Sequence, residues 1–139
     1  MPFNNVSVKK ARKSALDEAC RLLIMQLLST TDADRFVEDS DDLWPLGYCF
    51  GMLQASLESV DPKEKICQSD YQKYISSGFG AVFSDEAFGV IQYRIGLSSM
   101  SDAQFHAGRV TGATEYVQAL NTNTKRAYEL SKYMKNVKR

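Results

Sequence analysis

His106 is the single histidine of this 139-residue chain, and histidine is the one residue type that ordinarily titrates near neutrality. It is therefore the default general base or acid if the protein does chemistry. Asp102, one helical turn earlier, could orient the ring, and Ser98, Ser99 and Ser101 place hydroxyls nearby in sequence. The usual catalytic frameworks are missing: there is no G-x-S-x-G elbow, no H-E-x-x-H pair and no phosphate-binding loop. A plainer account puts His106 on the apolar seam of a helix and uses the serines as linker and helix cap.

Other reactive residue types are equally bare of pattern. Asp41/Asp42 and Asp85/Glu86 are carboxylate pairs, but the second falls at a helix start, where acidic side chains favour the dipole. The D-x-D steps between Asp32 and Asp42 lack the glycine that a calcium loop needs at its sixth position. Cys20, Cys49 and Cys67 have no C-x-x-C spacing and read as three reduced, buried thiols. Gly78-Phe79-Gly80 begins a dinucleotide-type step, but Phe83 stands where its third glycine belongs. Residues 78–84 are compatible with a turn, a short strand or a helix start. No metal site and no cofactor are expected.

Two kinds of residue point to binding. Lys132, Lys135, Lys138 and Arg139, interleaved with Tyr128 and Tyr133, could hold phosphates while the tyrosines stack on bases. The alternative is a solvated helix face whose tyrosines anchor it to the core. The second kind is glycine. Of eight glycines, four form the matched G-x-x-x-G steps Gly47/Gly51 and Gly108/Gly112, each inside an otherwise helical segment. Glycine in a helix costs about 1 kcal/mol against alanine, so close backbone approach must compensate. Gly47, Gly51, Ala55, Gly108 and Gly112 are thus candidate helix-packing or interface residues, within one chain or between copies.

These residues must be carried by helices. Leu16, Ala19, Cys20, Leu23 and Leu27 recur at helical spacing and predict a first helix over residues 7–28, with Ala11, Ala15 and Ala19 as a small-residue stripe. Residues 29–42 form an acidic connector. Trp44-Pro45 opens a helix to Val60 whose core stripe is Leu46, Phe50, Leu53, Leu57 and Val60. Asp61-Pro62-Lys63-Glu64 starts a third helix, with Gly78 as its left-handed cap. Ser84-Asp85-Glu86 starts a fourth, through Leu97. The capping box Ser101-Asp102-Ala103-Gln104 starts a fifth, with His106, Val110, Ala113, Val117 and Leu120 as its inward seam. A last helix over 125–137 carries Ala127, Leu130, Met134 and Val137. Overlaying Leu46–Ser56 on Ala107–Val117 aligns the glycines, but few other positions match.

The formal charge balances at 17 basic and 17 acidic residues, while its distribution does not. Residues 1–29 carry +3, 30–42 carry −5 and 125–139 carry +5. Basic ends with an acidic body favour complementarity within or between copies over nucleic acid. No 18-residue apolar run exists, so no membrane span is expected. The basic residues Lys9, Lys10, Arg12 and Lys13 precede an apolar stretch that Asp17, Glu18 and Arg21 break up and no cleavage site follows, so a cytoplasmic protein is expected.

Gly47-Tyr48-Cys49-Phe50-Gly51 with Ala55 resembles the G-Y-x-x-G-x-x-x-A step of small helical immunity proteins against secreted bacterial amidases, over nine residues. The resemblance implies a small helical inhibitor or neutralising partner. The signal peptide and paired cysteines expected in that family are not found.

The expectation is an all-α single domain, 1–139, a compact bundle of five or six helices that dimerises, with 1–12 and 136–139 frayed. Its function is that of a non-catalytic protein–protein interaction module: an adaptor, inhibitor or immunity-type protein whose partners are itself and another protein. A nucleic-acid accessory protein using the basic C-terminal helix is the first alternative, and a small enzyme centred on His106 the second.

Overall fold

A computed structural model of the chain describes residues 5–28, 43–60, 67–83, 102–122 and 127–137. They form five helices: α1 Asn5–Leu28, α2 Trp44–Val60, α3 Gln68–Val82, α4 Ala103–Leu120 and α5 Glu129–Val137. No strand occurs among the described residues. The all-α expectation is met. The connector 29–42, the helix start at Asp61, the helix from Ser84 to Leu97 and the cap residue Ser101 lie outside the described residues.

Helix α2 sits at the centre. Leu46, Tyr48, Cys49, Met52, Leu53 and Leu57 are all fully or almost fully buried, so it has neighbours on most of its surface. Pro45 falls in the first turn, where its missing N–H leaves no bond unmade, and Gly47 N–H donates to Leu43 O at 2.9 Å. From α1, Ala19, Cys20, Leu23 and Leu27 reach this core, as the spacing predicts, and Leu22 joins them. Phe79 enters from α3, Phe105 and Tyr116 from α4, and Leu130 from α5.

The most extensive helix contact is α2 against α4, and the glycines make it. A Cβ at Gly47 would overlap the Phe105 carbonyl oxygen, and one at Gly51 would lie 2.7 Å from the Arg109 carbonyl carbon. In return, a Cβ at Gly108 would lie 2.9 Å from Tyr48 N, and one at Gly112 2.9 Å from the Tyr48 carbonyl carbon. Each glycine meets the carbonyl three residues before its counterpart: Phe105 before Gly108, Trp44 before Gly47, Arg109 before Gly112 and Tyr48 before Gly51. The pairing is reciprocal and parallel. It is the geometry expected of two identical chains, closed here within one. The glycine faces are therefore filled by the same chain, the first of the two expected possibilities.

Helices α1 and α3 also run parallel. Arg12 pairs with Asp70, and the Cys20 thiol approaches the Gly78 carbonyl at 3.8 Å. Helix α3 runs through Gly78 to Val82 rather than ending at Gly78. Gly78 is buried and lacks the Cβ that Leu53 would strike, so it is a packing glycine inside the helix. Its first turn starts from Cys67 with no side-chain cap.

The inward face of α4 differs from the expected one. Phe105, Gly108, Gly112, Tyr116 and Ala119 are buried, while His106, Val110, Val117 and Leu120 are exposed and Ala113 is half-buried. The N-cap is Asp102, whose carboxylate accepts from Phe105 N–H at 2.9 Å. Thus Asp102 ties the helix start and leaves His106 unoriented by it.

Helix α5 begins at Glu129 and not at Lys125, because its first N–H groups are held by other helices. Glu115 Oε2 accepts from Tyr128 N–H at 2.8 Å and Oε1 from Glu129 N–H at 3.1 Å. Gln26 Oε1 accepts from Leu130 N–H at 2.8 Å and Ser131 N–H at 3.1 Å. These are the donors that a helix start otherwise leaves unpaired. The buried Tyr48 hydroxyl links the two caps, donating to Glu115 and accepting from Gln26 Nε2 at 3.0 Å. Tyr133 completes the dock by stacking on Trp44, with centroids 4.2 Å apart.

Candidate functional site

Three groups of residues could act, and each is positioned by the helices above. His106 lies one turn into α4 on its exposed side, so the expected burial on a seam is corrected. Its Nδ1 is 3.2 Å from Arg109 Nη2. Arginine only donates, so Nδ1 can take part in this contact only as an acceptor. Arg109 Nη1 donates to Gln54 Oε1 at 3.0 Å, and Gln54 Nε2 donates to the Tyr71 hydroxyl at 3.3 Å. Arg109 Nε is buried with no hydrogen-bond partner. The row His106–Arg109–Gln54–Tyr71 joins α4, α2 and α3. No carboxylate bonds to the imidazole among the described residues, so the row orders side chains without making a base dyad.

The thiols are no better suited to chemistry. Burial pushes Cys20 up to about 11, helped by the nearby Asp17 carboxylate. Burial likewise raises Cys49 far above its usual range. Both are protonated at neutral pH and poor nucleophiles. Cys67 is exposed, correcting the expectation of three buried thiols, and all three are free. No cluster of His, Cys, Asp and Glu could hold a metal ion among the described residues. No described helix is long and apolar enough to cross a membrane.

Of the basic C-terminal set, Lys132 pairs with Glu129 at 3.5 Å. Tyr133 is committed to Trp44, while Tyr128 is half exposed. The side chain of Lys135, and Lys138 and Arg139, lie outside the described residues.

Among the described residues, the outward side of α4 is the most apolar exposed helix face. Val110, Val117 and Leu120 are 53, 50 and 42% exposed, the highest concentration of exposed large apolar side chains on any described helix. With His106 and Ala113 they repeat at four-three-four-three spacing, and Val110 to Val117 is one heptad. The two charged residues of α4, Arg109 and Glu115, are half-buried and turned to Gln54 and to the α5 cap. The exposed positions of α4, including Gln104, Thr114 and Gln118, therefore carry no acidic or basic side chain apart from His106.

Sequence reasoning located this stripe but turned it inward. It missed Gln26, Glu115 and Trp44 as the residues that dock α5, because Gln26 and Trp44 lie 104 and 89 residues from Leu130 and Tyr133, and Glu115 meets the α5 amides from another helix, so none leaves a periodic signal. Ala55 is buried on α2 beside the glycine steps, as a packing position should be. Comparison of the chain with protein families, curated proteins and solved structures gives no match.

Proposed function

We propose that this chain is a non-catalytic helical interaction module that works as a homo-oligomer, two copies pairing through the outward seam of α4. The observation that carries this is the exposure of Val110, Val117 and Leu120 at heptad-compatible spacing on a helix face without acidic or basic groups apart from His106. β-Branched residues one heptad apart with leucine in the alternate position suit a two-stranded helical seam. A second copy is the occupant that fits, because a face without strong charge meets itself without like-charge repulsion. A charged partner would lose hydration there without compensation. The seam spans only about two heptads, so the contact is at the small end of specific interfaces and the dimer is a weak one. Through such pairing the module presents two copies of its remaining surface to a protein partner, as an adaptor or inhibitor would.

Sedimentation equilibrium at tens of micromolar tests the proposal. The wild-type chain is expected to show a monomer–dimer equilibrium. Val110→Asp with Val117→Asp, at exposed positions, is expected to be monomeric with unchanged helicity by circular dichroism. A wild-type chain that stays monomeric across that range, or a double variant that dimerises equally, would overturn it.

A further inference from the structure

A second surface has the opposite character. Between α1 and α3 runs an open groove of about 270 Å³. Lys9, Arg12 and Lys13 enter it from one face of α1 at helical spacing, and Lys73 enters from α3. The parallel register of these helices brings the four cations to one groove although 60 residues separate Lys13 from Lys73. Among the described residues one carboxylate lines the groove, Asp70, which pairs with Arg12 at 3.8 Å. Lys13 reaches Asp17 at 3.5 Å, with both side chains mostly exposed. An exposed pair such as Lys13–Asp17 contributes little and is readily exchanged for a better anion. Among the described residues no ion pair holds Lys9 or Lys73. Leu16 and the buried ring of Tyr74 complete the lining, with the Ser77 hydroxyl as a further donor. The Tyr74 hydroxyl itself is engaged by Ser56 at 2.6 Å, so the ring faces the ligand space as an apolar wall.

We infer that this groove binds a phosphate-bearing anion of small size. Cations converging from two helices over a short volume suit a compact, multiply charged group. A nucleic-acid strand would need a longer stripe of positive charge. The volume approaches that of a small-ligand site and admits a diphosphate or a phosphate ester. The site is independent of the α4 seam.

Titration of the full chain with pyrophosphate at low salt, read by amide NMR shifts, tests the inference. Saturable shifts are expected over Lys9–Leu16 and Asp70–Ser77. Lys9→Gln with Lys73→Gln, both at exposed positions, is expected to weaken binding about tenfold, and Asp70→Asn to tighten it about threefold. Lys132→Gln, on the other basic helix, is expected to leave it unchanged. Vesicles containing phosphatidic acid separate the two sources of such a group. Capture lost in the double variant assigns the phosphate to a lipid headgroup, and pyrophosphate binding without capture assigns it to a soluble molecule. No saturable shift with pyrophosphate and no capture, or a loss in Lys132→Gln equal to that in the double variant, would overturn the site.

Discussion

Helices α4 and α5 are fastened to the rest of the bundle by opposite means. Helix α4 is held by what its residues lack: four glycines let two backbones approach until a single Cβ would strike a carbonyl. Helix α5 is held by what its neighbours add, since Glu115 and Gln26 supply oxygens to its first four N–H groups and Trp44 supplies a ring for Tyr133. The first contact is steric and admits no small adjustment, because backbone cannot rotate away. The second consists of hydrogen bonds that water can replace one at a time. The contrast teaches where this fold is brittle and where it can loosen locally.

The sharpest way to break the comparison is Gly51→Leu or Gly112→Leu. Either forces α2 and α4 apart, so a loss of about 4 kcal/mol or more, or failure to fold, is expected in urea unfolding. If both variants unfold like the wild type, the glycine contact does not hold the helices. Glu115→Ala should cost less, about 2–3 kcal/mol, because it frees two α5 amides and leaves the Tyr48 hydroxyl with Gln26 alone. Hydrogen exchange should then show α5 opening while α2 and α4 stay protected. Uniform loss of protection would mean that α5 is not a separate unit.

Alkali probes the buried network more gently. Burial raises Tyr48, with Glu115 adding to the effect, and burial also raises Tyr71, Tyr116 and, to about 11, Cys20. These groups ionise first in the unfolded chain, which then binds fewer protons than the native state. Stability is therefore full below about pH 8.5 and falls as the pH climbs toward 11, by roughly 2 kcal/mol for Cys20. Urea midpoints at pH 8 and 10.5 check the sign, and equal midpoints would contradict it. The smallest effect concerns Gly80, where a Cβ meets nothing within 4 Å. Gly80→Ala is expected to stabilise α3 by about 0.5–1 kcal/mol, opposite in sign to the packed glycines. Destabilisation there would show that space around a helical glycine does not decide its role in this fold.

Much of this was legible in local pattern. Apolar repeats located α1 and α2 to within two residues, and the glycine steps marked a close approach. Helix α4 shows where pattern fails. It carries two plausible inner faces, and hydrophobicity favours the one with Val110, Val117 and Leu120. The true inner face combines Phe105 and Tyr116 with glycines, whose contribution comes from a neighbour's backbone and registers on no hydropathy scale. Gly78 misled for a related reason: a glycine that ends a helix and one that makes room for Leu53 look alike until Leu53 is placed. The basic groove was half visible, because Lys9, Arg12 and Lys13 share one helix face, but Lys73 joins them only through the pairing of α1 with α3.

By itself, then, the sequence determined that the chain is helical, where α1 and α2 lie, and that four glycines demand a partner surface. Those are properties of short-range periodicity and of residue chemistry. Only the tertiary structure decided that the glycine faces close on each other within the chain, that α4 turns its heptad stripe to solvent, and that α5 starts where Glu115 and Gln26 hold it. Each depends on groups distant in sequence meeting in space, where steric exclusion and the pairing of buried N–H groups outweigh local hydrophobic preference.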